Sequence, residues 1–295
     1  MAAFTIGPST QCYLDIDIDD HRNKFARACA FVAANDVKYG LSSSDVRELG
    51  GGELKRLMAF HESDFEWAAK GPIAPRPQPA CRVVVELFDD TPLASRNFAA
   101  LCAGAMGKAA GSGLPLHYRG SRVHRVQPGF VVQGGDFVKG NGSGGESVYG
   151  KKFKDEPAGL KRRHDAAGVL SMGNAGKNAN SSQFFFTLAP APQCDGKHVV
   201  FGRVVSGLEV LRAVEARGAA SGEPTVEVTI SECGVFAAGG GAPRHGYWYD
   251  PPAEDGEVGA VGGAASRFVP VARCACLAPS AARSCSAVGG LLPGR

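Results

Sequence analysis

The stretch VHRVQPGFVVQGGDF, residues 123–137, limits most strongly what this chain can fold into. One run of alternating strand-type residues ends at Pro128-Gly129 and another begins there, which predicts a β-hairpin corner. The alternation then places Arg125, Phe130 and Gln133 on one face of the two strands. The sequence therefore predicts a cation, an aromatic ring and an amide at one place on a sheet surface.

Length and composition indicate a folded protein of one large or two modest domains. The 295 residues are 44% hydrophobic, and 32 cations against 29 anions give a net charge of +3. This balance does not supply the basic surface of a nucleic-acid-binding protein. No apolar run is long enough to cross a membrane, and the first ten residues do not resemble a secretory signal. We therefore expect a cytoplasmic location, with the nucleus as the alternative. The nine irregularly spaced cysteines indicate reduced thiols.

Short strand-type segments separated by Gly and Pro turns predict a closed antiparallel barrel with two helices at its open ends. One helix is expected from Thr91 to about Cys102, because Thr91-Pro92 supplies an N-cap and a first-turn proline. The other is expected at 208–215. The predicted strands include 12–18, 81–88, 169–172, 184–188, 198–204 and 225–233.

Between the first two strands the apolar period becomes helical. We interpret residues 19–80 as a small helical insert with a proline-rich return, placed at a hairpin tip where an insertion costs little stability. The insert is a candidate site for a protein partner. Its two apolar stripes are Phe25, Ala28, Cys29 and Val32, and Leu54, Leu57, Met58, His61 and Phe65.

The last part of the chain, residues 237–295, is rich in Gly, Ala, Pro and Ser, which predicts a disordered tail. A docking motif at 247–249 and a metal site at Cys274, Cys276 and Cys285 are hypotheses only, because the cysteine spacing is not that of a zinc site. We therefore predict no metal site.

Four blocks of sequence resemble, in the same order, those of the cyclophilins, the peptidyl-prolyl cis-trans isomerases that cyclosporin inhibits. They are residues 123–137, GNGSGGESVYGKKF at 140–153, GVLSMGNAGKNANSSQFFF at 168–186 and DGKHVVFGRV at 195–204. The resemblance covers residues 11–18 and 81–236. It implies a closed eight-stranded antiparallel barrel capped by two helices. It also implies a monomer that acts on proline-containing peptides and on unfolded or client proteins without a cofactor.

The reaction of that family needs a donor rather than a nucleophile. Rotation about a peptide bond crosses a barrier of about 18–20 kcal/mol because amide resonance is lost. In the twisted state the amide nitrogen gains a lone pair, so a fixed donor aimed at it lowers the barrier. The family's catalytic arginine falls on Arg125, whose planar guanidinium is permanently charged. Its partner glutamine falls on Gln133, which we expect to hold Arg125.

The resemblance also implies the residues that bind the substrate. The proline ring would enter an apolar slot, with His198 as a neutral wall, while neighbouring backbone and amide groups hold the extended peptide. The slot residues are Phe130, Val131, Phe185, Cys194 and His198. The remaining substrate-binding positions are Gly142, Gly173, Asn174, Ala175, Gln183 and Gln193.

Three positions depart from the common pattern of the family. Val131 and Gly173 replace a Met and an Ala, which keeps the slot apolar. Gln193-Cys194 replaces a Trp-Leu pair. Losing the indole removes a large contact surface with a donor, so we expect weakened cyclosporin binding.

The long loop at 104–120 resembles a subgroup of cyclophilins with a divergent loop. Cys102, Glu146 and Cys233 match three features of that subgroup. Cys102 and Cys233 are therefore either a redox-sensitive pair or two inert buried thiols.

Two alternative functions are consistent with parts of the sequence. The spacing Gly140-x-Gly142-x-x-Gly145 matches a nucleotide-binding glycine loop, but no long helix follows it to meet a phosphate. The stronger alternative is a non-catalytic scaffold that binds proline peptides and takes its specificity from the helical insert. A pure binding module would have no use for a donor such as Arg125.

Overall fold

The computed structural model describes residues 10–78 and 81–236. The tail at 237–295, with its aromatic motif and its three cysteines, lies outside these residues. Across the described ranges, no helix combines the length and the apolar character that a membrane crossing requires.

Eight antiparallel strands form one curled sheet, as predicted. They are β1 (Gln11–Ile18), β2 (Arg82–Leu87), β3 (Arg125–Gln127), β4 (Val131–Gly134), β5 (Val169–Asn174), β6 (Asn180–Thr187), β7 (Val200–Ser206) and β8 (Val228–Val235). Their order in the sheet is β3-β4-β6-β5-β7-β2-β1-β8. The edges meet through residues that precede β3, where Val123 donates its N–H to the carbonyl of Val228 (2.9 Å). The sheet is thus a half-barrel whose closure depends on a short bridge.

Two helices, α4 (Pro92–Ala103) and α6 (Leu208–Glu215), pack against the inner face of the sheet. The main core lies between them and the strands, and Phe98 of α4 is completely buried there. Its ring contacts those of Tyr118, Phe184 and Phe201 at centroid distances of 5.4, 5.1 and 5.4 Å. Full burial of such a side chain is worth about 1.5–3 kcal/mol. A short helix, α5 (Pro157–Lys161), lies between β4 and β5.

The start of α4 differs in one respect from the prediction. Pro92 occupies the first turn as expected, but Thr91 makes no capping hydrogen bond. The carboxylate of Glu156 caps the helix instead, accepting the N–H groups of Leu93 (2.8 Å) and Ala94 (2.9 Å). The cap prediction was wrong because the acceptor comes from a residue far along the chain.

The insert is helical and has its own core. It contains α1 (His21–Tyr39), a 3₁₀ turn (Val46–Glu48), α2 (Gly51–Ser63) and α3 (Phe65–Ala68). The predicted apolar stripes face this core, except at Phe65, which is 91% exposed. The prediction for Phe65 was wrong because Asp64 ends α2 and caps α3 by accepting the N–H of Trp67 (3.3 Å). The helical phase therefore restarts at Phe65.

The insert leaves the sheet between β1 and β2, which pair with each other in antiparallel register. At the base of the insert the buried side chain of Gln78 extends the ladder, donating to the carbonyl of Ile16 (2.9 Å) and accepting the N–H of Ile18 (3.2 Å). Next to it, Arg82 donates twice to the fully buried carboxylate of Asp15, at 2.7 and 2.8 Å. These contacts fix the strand ends from which the insert emerges.

Candidate active site

The β3–β4 hairpin places the predicted site on the outer face of the sheet. Arg125 lies opposite Gln133, and Gln127 lies opposite Val131. The alternate residue, Val126, points into the main core. Because successive side chains of a strand point to opposite faces, Arg125 and Gln133 share the outer face. The alternation in the sequence predicted this arrangement correctly.

An apolar group separate from the main core continues from this hairpin. Gln133 is paired with Phe185 of β6, and Phe185 with Ser171 of β5, so one row of side chains crosses the sheet. We call the apolar residues on this face the outer cluster. Its members are Phe130, Val131, Phe185, Ala191 and Cys194. Four of the five were predicted as slot residues, and Ala191 was missed because nothing in its local sequence marks it.

Arg125 lies beside the outer cluster. Its guanidinium carbon is 5.9 Å from the ring centroid of Phe130, within the range of a cation–π contact. Nη2 donates to Oε1 of Gln127 at 2.7 Å, which anchors the exposed side chain. Arginine has five N–H donors, so others can serve a bound peptide. The cation is thus held next to an apolar surface with donors to spare.

Gln133 has a different partner from the one we predicted. Although it lies opposite Arg125, its Nε2 donates to Oε1 of Gln183 at 2.9 Å. Gln183 in turn donates to the carbonyls of Gly142 and Gly144, both at 2.8 Å. The two glutamines therefore tie the sheet to the glycine loop, and the role of holding Arg125 falls to Gln127. Gln127 lies two residues after Arg125 on the same strand, and this spacing could have predicted the contact.

A buried carboxylate that the sequence analysis missed organises the glycine loop. Burial alone would raise the pKa of Asp136, but backbone N–H donors outweigh this effect and lower it. Gly142 of this loop has φ +84°, and a Cβ there would lie 2.7 Å from Nε2 of His124. The loop position is therefore restricted to glycine. The N–H donors to Asp136 belong to Val138, Lys139, Asn141, Gly142 and Gly144.

His198 stands edge-on to Phe185, with ring centroids 5.2 Å apart and an interplanar angle of 88°. Its Nδ1 lies 3.0 Å from the carbonyl of Met172, so this nitrogen carries the donated proton. Burial lowers the pKa of His198, which favours the neutral ring near pH 7. This geometry agrees with the neutral wall that we predicted.

The other predicted peptide-binding positions surround these residues. Gly173 is buried, and a Cβ there would lie 3.1 Å from Cβ of Gln183. The amide of Asn174 donates to the carbonyl of Lys197 at 3.1 Å. Ala175 and Gln193 are exposed. Gly173 and Asn174 thus adjoin the site, while Ala175 and Gln193 lie on solvent-exposed loops.

The two predicted thiols lie in a buried group with a third. Burial, and then the neighbouring thiols of Cys12 and Cys233, raise the pKa of Cys102. Hydrogen bonds from Cys102 and then His117 outweigh the effect of burial on Cys233 and lower its pKa to about 6. Cys233 is therefore the thiol with thiolate character. Nothing in the sequence analysis assigned a role to Cys12 or His117.

One comparison with known proteins bears on this arrangement. The family model described as cyclophilin type peptidyl-prolyl cis-trans isomerase/CLD matches residues 78–235, more than half of the chain. The matched range contains every residue of the outer cluster, Arg125 and both glutamines. β1 precedes the matched range and pairs with β2 and β8. The chain belongs to the cyclophilin-type peptidyl-prolyl cis-trans isomerase family.

Proposed function

We propose that this protein isomerises X-Pro bonds by holding the proline ring on the outer cluster while Arg125 donates a hydrogen bond to the twisted amide nitrogen. The observation that carries the proposal is the position of the Arg125 guanidinium, 5.9 Å from the Phe130 ring at the edge of the cluster. A donor placed there stabilises the twisted amide more than either planar isomer. The reaction then needs no covalent intermediate.

The substrate would be an extended peptide on both sides of the proline. Gln183 and the carbonyl of Gly142 are held together by a 2.8 Å hydrogen bond next to the outer cluster, and Gly173 adjoins them. Backbone and amide groups of this kind can fix one half of a peptide while the other half rotates. Proline-containing peptides and unfolded or client proteins are the expected substrates.

The test compares Arg125→Ala with the wild type in an exchange-NMR assay on an X-Pro peptide. Removing one electrostatic stabiliser of a transition state costs about 10²–10³ in kcat. We expect a loss of this size with little change in KM, because the donor acts mainly in the twisted state. Arg203→Ala is the matched control, since Arg203 is exposed on β7 and pairs with Glu86. Equal rates for Arg125→Ala and the wild type would overturn the role of Arg125, and if neither rate exceeds that of the free peptide, the scaffold function is favoured instead.

We further propose that Cys102 and Cys233 form a redox-sensitive pair. The Cys233 thiolate attacks hydrogen peroxide, an S–O bond forms as the O–O bond breaks, and hydroxide leaves. The sulfur of Cys102 then attacks the sulfenic acid, forming the disulfide and releasing water. The effect of the two thiols on each other, which raises the pKa of Cys102 and lowers that of Cys233, supports this order of steps.

Mass spectrometry of the peroxide-treated protein tests the pair. We expect a disulfide that joins Cys102 to Cys233 and a change in isomerase rate that dithiothreitol reverses. Cys233→Ser should abolish both effects, whereas Cys12→Ser should leave both in place. An unchanged mass after peroxide treatment would identify the two residues as inert buried thiols.

A further inference from the structure

We propose that His164 is a positioning residue for the outer cluster. It is a buried imidazole that clamps the 191–195 turn and backs the Phe185 ring without touching the substrate. The proposal rests on the function proposed above and adds a residue to it.

His164 is 1% exposed and holds the 191–195 turn at both ends. At one end its carbonyl accepts the N–H of Ala191 at 2.7 Å. At the other, Oδ1 of Asp195 lies 2.8 Å from the His164 backbone nitrogen and 2.9 Å from Nδ1. Ala191 and Cys194 of this turn both belong to the outer cluster. The turn that carries two of the five cluster residues is thus fastened to one histidine.

The His164 ring also packs against Phe185, one of the two aromatic side chains of the cluster. It stacks on Phe185 with centroids 5.7 Å apart and an interplanar angle of 17°. His198 contacts the same ring edge-on. Such aromatic pairs stabilise a site beyond the effect of the area they bury. The ring of Phe185 is therefore held by one imidazole that stacks on it and by another that meets it edge-on.

The third contact of His164 is with Ser171, whose Oγ lies 3.1 Å from Nε2. Asp195, His164 and Ser171 have the order of a hydrolytic triad, but Ser171 is 0% exposed on β5, where no substrate carbonyl can reach it. Oδ1 of Asp195 holds Nδ1 of the ring, and Oγ of Ser171, which lies next to Nε2, donates to the carbonyl of Val199 at 3.1 Å. Every polar atom of the side chain is thus used to fix its orientation.

These contacts predict an effect on binding more than on chemistry. The proline ring must stay fixed in the ground state and in the twisted state, so a displaced wall weakens both states. Loss of the clamp should therefore raise KM, whereas loss of Arg125 should lower kcat.

Two variants test the clamp in the full-length protein. His164→Phe keeps a stacked ring and removes the side-chain hydrogen bonds. Asp195→Asn keeps the His164 ring on Phe185 and weakens only the hydrogen bonds that His164 makes with residue 195. Because Asp195 is more exposed than His164, this variant should still fold. His61→Phe is the matched control, because His61 is also a buried histidine, lies in the core of the insert, and its Nε2 makes no hydrogen bond with the described residues. We expect KM for an X-Pro peptide to rise about tenfold in His164→Phe and less in Asp195→Asn, with kcat within about twofold.

Two further readouts separate this inference from the proposed function. Amide exchange at residues 193–197 should accelerate in both variants and not in His61→Phe, and the Kd of the X-Pro peptide should rise with KM. An inactive wild type would overturn the proposed function, while peptide binding and amide exchange would still test the clamp. Unchanged exchange and an unchanged Kd in folded His164→Phe would overturn the clamp alone.

Discussion

At the residue scale, we expect Gln193, the exposed residue at the rim of the outer cluster, to affect how much contact area a ligand gains. Cys194 is buried in the cluster, and its neighbour Gln193 is exposed at the rim. A glutamine offers less apolar surface than the tryptophan common at this place in the family. Small peptides that bury only proline lose little from this change, but a large cyclic ligand loses a contact surface.

The substitution Gln193→Trp should therefore strengthen cyclosporin binding. A well-placed aromatic contact is worth about 0.5–1.5 kcal/mol, so we expect an affinity gain of up to about tenfold. Isothermal titration calorimetry of the wild type and the variant would measure it, with Gln193→Ala as the control for loss of the amide. If Gln193→Trp binds cyclosporin no better than Gln193→Ala, the rim is not what limits affinity.

Strand alternation was sufficient to place Arg125 and Gln133 on one face, because a period of two is a local property. Phe130 lies in the turn before β4, where alternation does not decide the direction of the side chain. The partner of Gln133 was not predictable in this way, since Gln183 lies on another strand. The contact between His164 and Asp195 was not predictable for the same reason, since the two residues are distant in sequence. A lone histidine in sequence gives no sign that its ring will stack on Phe185.

At the element scale, the carboxylate of Glu146 holds the tip of the 104–120 loop. Glu146 accepts the N–H groups of Gly111 (2.9 Å) and Ser112 (2.7 Å). A Cβ at position 111 would lie 2.8 Å from Oε2 of Glu146, so a side chain there would displace the carboxylate. Hydrogen bonds from Ser112 and then Gly111 outweigh partial desolvation and lower the pKa of Glu146.

The loop should therefore detach at low pH. Because the pKa is lowered in the folded state, the contact is fully present above the ordinary glutamate value of about 4.3 and is lost as the pH falls through the lowered pKa. NMR amide exchange at Gly111 and Ser112 would show protection that is steady from pH 7 to about 4.3 and declines below it.

Glu146→Gln should remove much of this protection already at pH 7, because a neutral amide accepts more weakly than a carboxylate. The matched control is Glu209→Gln, an exposed glutamate on α6. Protection that is equal in Glu146→Gln and the control would mean that the loop is held by its own backbone contacts.

The elements themselves were largely predictable because their signals are local. The helical period of the insert and Pro92 at the start of α4 appear where the sequence indicates. The strand segments also appear, but some of their ends are displaced, as in β6, which begins at Asn180 instead of 184. The two errors arose where a distant or interrupting side chain decides the outcome. Glu156 caps α4 from far along the chain, and Asp64 resets the helical phase before Phe65.

At the scale of the whole molecule, the described residues form a larger core in the sheet and a smaller core in the insert, which leaves the sheet between β1 and β2. The sheet and its two helices enclose the larger core, and the insert encloses a smaller one around Phe31 and Leu57. Gln78 and the Asp15–Arg82 ion pair lie at the junction. Because each core is closed by its own residues, we infer that the sheet does not require the insert for folding. A protein partner of the insert and a monomeric state stay predictions.

Replacing residues 19–78 by Asn-Gly, a two-residue hairpin turn, tests this separation directly. The β1–β2 register should persist, because Asp15 and Arg82 keep their pairing and the ladder can extend past Ile16. We expect kcat/KM for an X-Pro peptide within about twofold of the wild type, since insertion at a hairpin tip interrupts no core contact. The urea m-value should fall because less surface is exposed on unfolding.

A version that replaces only residues 20–76 and so retains Gln78 is the control for the junction. If both shortened proteins fold but lose activity, the insert contributes to the site and the two cores are functionally coupled.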